Sequence, residues 1–142
     1  MSARAEADWP ASLDVRQVRV ARPTDRLAEV VAFYRDGIGL TELFRFEGHA
    51  GYDGVMVGLP DRSYHLEFTQ HVDGSPCPAP TRDNLLVFYV PDPRVIDTIV
   101  ARLSERGHPP VDAENPYWTE NGATTIEDPD GWRIVLMPST GI

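Results

Sequence analysis

The chain has 142 residues, with 22 acidic against 13 basic side chains and a formal net charge of −9. Phosphate backbones and anionic membrane surfaces are recognised by clustered Lys and Arg, so neither nucleic acid nor a membrane is expected as a partner. Cys77 is the single cysteine, which excludes an intramolecular disulfide.

Residues 1–14 read as a flexible tail. Their acids and their lack of an apolar core exclude a signal peptide, and no apolar run is long enough to span a membrane, so a cytoplasmic location is expected. Residues 15–21, VRQVRVA, alternate apolar and polar and predict a strand. Thr24 then opens a helix whose stripe is Leu27, Val30, Val31 and Tyr34, ending at Gly37 or Gly39. LTELFRFEG predicts a strand and GHAGYDG a glycine-rich turn. GVMVGLP and SYHLEFTQ predict two further strands. Residues 71–83 are proline-rich, show no periodicity and read as a linker; Cys77 sits in this loop as a spectator thiol. After it come a strand, NLLVFYV, and a helix with Ile96, Ile99, Val100 and Leu103 on one face. A short proline-weakened strand, HPPVDAE, follows, and a final hairpin turns on DPDG.

The order β-α-β-β-β therefore occurs twice, over residues 15–70 and 84–138. The first helical stripe maps onto the second at an offset of 69 residues, and the flanking strands at 68. A repeat of this length implies two copies of one supersecondary unit. Together with FYRDGIGL near the start and DPDGWRI near the end, the chain resembles the glyoxalase/bleomycin-resistance/extradiol-dioxygenase superfamily, also called vicinal oxygen chelate proteins. The resemblance covers about residues 15–138. It implies an α+β fold of two tandem βαβββ modules in one compact domain, forming a cleft between curled mixed sheets with helices outside. It also implies a homodimer, in which some members share clefts between chains.

In metal-using members the resemblance implies four ligands, from the first and last strand of each module. Here these positions fall at Gln17 (or Arg19, on the same face), Glu67, Leu85 and Val135. Leu and Val offer no lone pair, and a catalytic divalent ion commonly takes three protein ligands. No cofactor is therefore expected. The alternative is a displaced divalent metal on His65, Glu67 and Gln17, because residues two apart on a strand share a face.

By the same alternation Gln17, Arg19, Ala21, His65, Glu67, Thr69, Leu85, Val87, Tyr89, Arg133, Val135 and Met137 face the cleft. Val18, Val20, Leu66, Phe68, Leu86, Phe88, Ile134 and Leu136 face the helices. Glu67 and His65 are the candidates for chemistry, with Arg133 available to an anion; pairing of Glu67 with Arg19 or Arg133 in a structural ion pair is the competing reading. Gln17, Arg19, Tyr89 and Arg133 would contact a ligand. So would two loops, one carrying His49 and Tyr52, the other Tyr117 and Trp118. His108 reads as solvent-facing. Two functions stay open. One is binding or sequestering a small organic compound without the usual metal. The other is lyase, isomerase or dioxygenase chemistry, through a displaced metal or through Glu67 as general base.

Overall fold

A computed structural model describes residues 9–142; the first eight residues of the expected tail lie outside it. Strand β1 (Val18–Pro23) is followed by helix α1, regular over Leu27–Val31 and widened to a π-helix over Ala32–Ile38. Then come β2 (Thr41–His49), β3 (Tyr52–Gly58) and β4 (Tyr64–His71). The second module runs β5 (Leu85–Tyr89), α2 (Pro93–Glu105), β6 (Pro110–Val111), α3 (Pro116–Glu120), β7 (Thr124–Glu127) and β8 (Arg133–Met137). Each module forms a four-stranded mixed sheet, ordered β1-β4-β3-β2 and β5-β8-β7-β6. The first and last strands of each module pair in parallel, and the other pairings are antiparallel. The α+β fold of two similar modules is as the sequence predicts.

Local chemistry explains the element ends. The ladder of β1 starts at Val18 because its partner β4 starts at Tyr64; the predicted strand residues 15–17 have no neighbour to pair with. The predicted GHAGYDG turn shrinks to two residues, Ala50 at φ 51° and Gly51 at φ 84°, so β2 and β3 extend to His49 and Tyr52. Two positive φ values in a row match the twist of a tight hairpin. The predicted 114–122 loop contains α3, started by the Asn115 side chain, which accepts from the Tyr117 amide at 3.0 Å, with Pro116 in the first turn. Asp92 caps α2 in the same way, accepting from the Arg94 amide at 2.9 Å. Thr24 does not cap α1 itself. Its hydroxyl accepts from the Arg26 amide and donates to Asp130.

The wide turn of α1 brings Phe33, Tyr34, Gly37 and Ile38 all to the buried side. There α1 lies against α2. A Cβ on Gly37 would stand 2.2 Å from the Leu103 Cδ2, so the close approach needs glycine. Arg102 reaches from α2 to the end of α1 and donates to the Gly37 and Ile38 carbonyls at 2.8 and 2.9 Å. These carbonyls are the acceptors a helix terminus leaves without intrahelical partners.

One hydrophobic core joins the helices to both sheets, with Val55, Val57, Leu66 and Phe68 from the first and Ile126, Ile134 and Leu136 from the second. Two expectations fail here. Val18 and Val20 are about half exposed, because β1 is an edge strand and α1 packs on β3 and β4 instead. His108 does not face solvent freely; its ring packs edge-on against Phe33 at 5.0 Å.

A buried polar network fastens the modules together. Asp128 accepts from the Tyr34 hydroxyl at 2.7 Å, from Arg22, and from the Asp130 and Trp132 amides. Asp130 accepts from Arg22 and from the Thr24 hydroxyl, both at 2.7 Å. The Arg22 guanidinium lies over the rings of Phe68 and Trp132. Burial pushes the Asp128 carboxyl above its ordinary range, against the pull of Arg22. Burial and the neighbouring carboxylate together raise the Tyr34 hydroxyl well above a free phenol.

Candidate functional site

The face of the first sheet turned away from the helices carries the predicted candidates. Strand pairing sets three rows across it. One row is Arg19, His65 and Gly58; the next is Ala21, Glu67, Met56 and Phe44; the third is Pro23, Thr69, Gly54 and Phe46. Arg19, His65 and Glu67 come together as a cluster. Arg19 Nε donates to His65 Nε2 at 2.9 Å, and its Nη1 lies 3.6 Å from Glu67 Oε2. The second terminal nitrogen finds only the Met56 sulfur, at 3.5 Å.

This geometry fixes the proton on His65. Its Nε2 accepts, so in the neutral ring Nδ1 carries the hydrogen. Nδ1 is buried, and it is the one buried side-chain nitrogen or oxygen without a hydrogen-bond partner among the described residues. Such an orphan costs free energy unless something completes it. The Arg19 side chain is 46% exposed and that of Glu67 14%, so the guanidinium is the group an incoming molecule meets first.

Strand register corrects the alignment of the first-strand position. In the second module Leu85 pairs with Arg133; in the first, the residue pairing with His65, the counterpart of Arg133, is Arg19. Gln17 precedes the ladder and is exposed. Arg19, the alternative that alternation offers beside Gln17, is therefore the structural counterpart of Leu85.

The four positions are then Arg19, Glu67, Leu85 and Val135, and this donor set does not fit a divalent ion. One member is a cation and two are aliphatic. The only nearby imidazole has its acceptor nitrogen occupied by Arg19. Among the described residues no group of three or more His, Cys, Asp or Glu is placed to hold a metal ion.

The other predicted ligand contacts lie apart from this cluster. His49 and Tyr52 pair with each other at the hairpin end, where His49 packs against Phe46 and Tyr52 against His71 at 4.6 Å. Tyr117 and Trp118 pack edge-to-face on α3, at 5.0 Å. Arg133 is buried and bound within its own module, donating to Glu127 at 2.9 Å and to the Asp112 carbonyl at 2.9 Å. Its ion pair is thus with Glu127, and the Glu67 carboxylate is left to Arg19. Sequence reading missed Phe44 and Met56, which reach this face only through the pairing of β2, β3 and β4. It also took the acids at 127–130 for turn residues alone.

A concavity of about 560 Å³ opens between the edge strands β1 and β5. Val18, Val20, Leu86, Phe88, Val95 and Ile99 line it, with Tyr64, His65 and Tyr89 among its other lining residues.

The sequence matches the YycE-like N-terminal domain over residues 18–69 and the YycE-like C-terminal domain over residues 83–138. The uncharacterized protein YycE of Bacillus subtilis is 53% identical over 131 residues, which span 92% of this chain and 94% of the relative. A crystal structure of a YycE protein of unknown function from that organism superposes with a TM-score of 0.84 at 52% identity, covering 90% of this chain and 93% of that one. The trypanothione-dependent glyoxalase I of Leishmania major shares the fold, with a TM-score of 0.67 at 18% identity, over 86% of this chain and 85% of that one. So does TnmS3, an antibiotic-binding protein from Streptomyces sp. CB03234, with a TM-score of 0.60 at 24% identity, over 85% of this chain and 93% of that one. With both halves matched and more than half of the aligned residues identical to YycE, the chain belongs to the YycE-like family, within the glyoxalase/bleomycin-resistance (vicinal oxygen chelate) superfamily.

Proposed function

We propose that this protein binds a small organic molecule on the polar face of its first module, without a metal ion in the family's usual position. The carrying observation is the Arg19–His65–Glu67 cluster: a half-exposed guanidinium and a buried, unpartnered imidazole N–H on one sheet face, with Phe44 alongside. Small-molecule sites combine apolar surface with a few placed polar groups. The shared fold does not choose between activities, since it serves an enzyme in Leishmania and an antibiotic-binding protein in Streptomyces.

Glu67 supports a second, enzymatic reading. No described residue donates a hydrogen bond to its carboxylate, and Arg19 stands 3.6 Å away. A carboxylate so placed can take a proton from bound substrate while the neighbouring cation stabilises the charge that develops.

The test is a thermal-shift screen of small molecules, followed by mapping of hits by amide NMR shifts. Hits that perturb Arg19, His65, Glu67 and Phe44, and that persist in chelator, support binding. Turnover that Glu67→Gln abolishes with the ligand still bound supports the second reading. Hits confined to the groove between β1 and β5 would count against both.

That groove supports a separate expectation, a homodimer. β1 has one side of its backbone unpaired and presents Val18 and Val20 at 52% and 47% exposure. An exposed apolar edge strand is a template for pairing with another chain.

A further inference from the structure

We infer that the Arg19 guanidinium takes the place a divalent ion would occupy in this site, and that the site selects a small aromatic molecule bearing a carboxylate. The inference rests on the small-molecule reading above and adds the chemical class of the ligand.

Three observations carry it. First, register puts Arg19 on the first strand at the position expected of a ligand, directly beside His65. It is a cation attached to the chain, and it already engages both side chains that could coordinate metal, His65 through Nε2 and Glu67 at 3.6 Å. A free ion would have to displace it.

Second, the remaining donors of Arg19 lack good acceptors. Nη1 lies beyond hydrogen-bond distance of Glu67, and Nη2 has only a thioether at 3.5 Å. A guanidinium with its two terminal nitrogens available matches a carboxylate in bidentate geometry. Glu67 is the less exposed partner, and the guanidinium side chain is the one that solvent reaches. The buried His65 Nδ1–H is a further donor without an acceptor in this cluster.

Third, Phe44 stands 56% exposed on the same face, in the row of Met56 and Glu67. An aromatic ring there gives the body of the ligand a stacking partner. The net charge of −9 opposes anions at long range. Beyond about 10 Å, though, salt screens that field, and the fork decides at contact.

The experiment uses benzoate and its neutral isostere benzamide as probes, followed through the Arg19 Nε–H, the His65 ring and Phe44 by NMR. In wild-type protein benzoate is expected to shift all three and to bind at least about tenfold more tightly than benzamide, as a charge-assisted pair should. Arg19→Met is expected to erase that preference while benzamide binding persists. Arg19→Lys, which keeps the charge without the fork, should lose most of it.

A zinc titration is the second arm. Wild-type protein should show no shift at His65 or Glu67. Arg19→Glu places a third ligand beside those two and should bind zinc at least about a hundredfold more tightly than wild type. Equal affinity for the two probes, or a benzoate preference that survives Arg19→Met, would overturn the carboxylate inference and leave the small-molecule reading standing. Stoichiometric zinc binding by wild type, lost in Glu67→Ala, would overturn the substitution of cation for metal. No shift of this face by either probe would defeat both the inference and the reading beneath it.

Discussion

Gly37 offers a sharp test of how the modules are held together. A Cβ built on it would meet Leu103 Cδ2 at 2.2 Å and Cγ at 3.3 Å, where real carbon contacts lie near 3.5–4.0 Å. Leu103 is fully buried in the core, so its side chain cannot swing into solvent to make room. Gly37→Ala therefore overpacks the junction of α1 and α2, at a cost of about 1–3 kcal/mol. Alanine's better helix propensity offsets up to about 1 kcal/mol of this, so a net loss of about 1–2 kcal/mol is expected. Leu103→Ala alone should cost about 2–5 kcal/mol through lost burial and the cavity left behind. In the double variant the new methyl enters the space the leucine vacates. The two effects should then fall short of their sum by about 1–2 kcal/mol. Urea unfolding of the four proteins, compared at constant m, measures this cycle. Strict additivity, or a Gly37→Ala variant as stable as wild type, would refute the close packing of the two helices at this point.

Three further outcomes follow from named contacts. Tyr34 is fully buried with its hydroxyl on Asp128, and burial, reinforced by that carboxylate, raises its pKa well above that of a free phenol. A raised value means stability that is full below the unfolded pKa and is lost as pH rises toward the folded one. The alkaline fall in stability that begins near pH 10 should therefore be shallower in Tyr34→Phe, read by urea midpoints across that range. Near pH 7 the same variant should lose about 1.5–3 kcal/mol for a hydrogen bond to a charged acceptor. Arg102→Ala strips the Gly37 and Ile38 carbonyls of their donors and should cost about 1–2 kcal/mol, seen as a lower urea midpoint. If β1 mediates a dimer, Val20→Lys should shift sedimentation toward monomer and leave the far-UV spectrum unchanged.

The architecture was legible in the sequence because hydrophobic periodicity depends only on local order. The stripe from Leu27 to Tyr34 and its copy from Ile96 to Leu103 are the core faces of α1 and α2. The alternation in YHLEFTQH puts Leu66 and Phe68 into the core and His65 and Glu67 on the opposite face. Capping at Asp92–Pro93 and at Asn115–Pro116 is equally local, though the sequence reading names neither and assigns a cap only to Thr24. These features are set by a residue and its neighbours within one or two turns.

What the sequence left undecided depended on contacts between distant segments. Alternation assigns a residue to a face but not to a partner, so Gln17 and Arg19 were equivalent until the β1–β4 ladder placed Arg19 against His65. Nothing local told Arg133 to bind Glu127 and Asp112, or raised Asp128 from a turn residue to the acceptor of Tyr34 and Arg22, which lie 94 and 106 positions away. Val18 and Val20 carry the alternation of a core strand, yet they stand exposed because the helices cover β3 and β4 and leave the sheet edge bare. Sequence thus determined the two modules and the alternation of their strands. Register and packing, which act through partners far away in the chain, decided which charged groups come together on the first sheet.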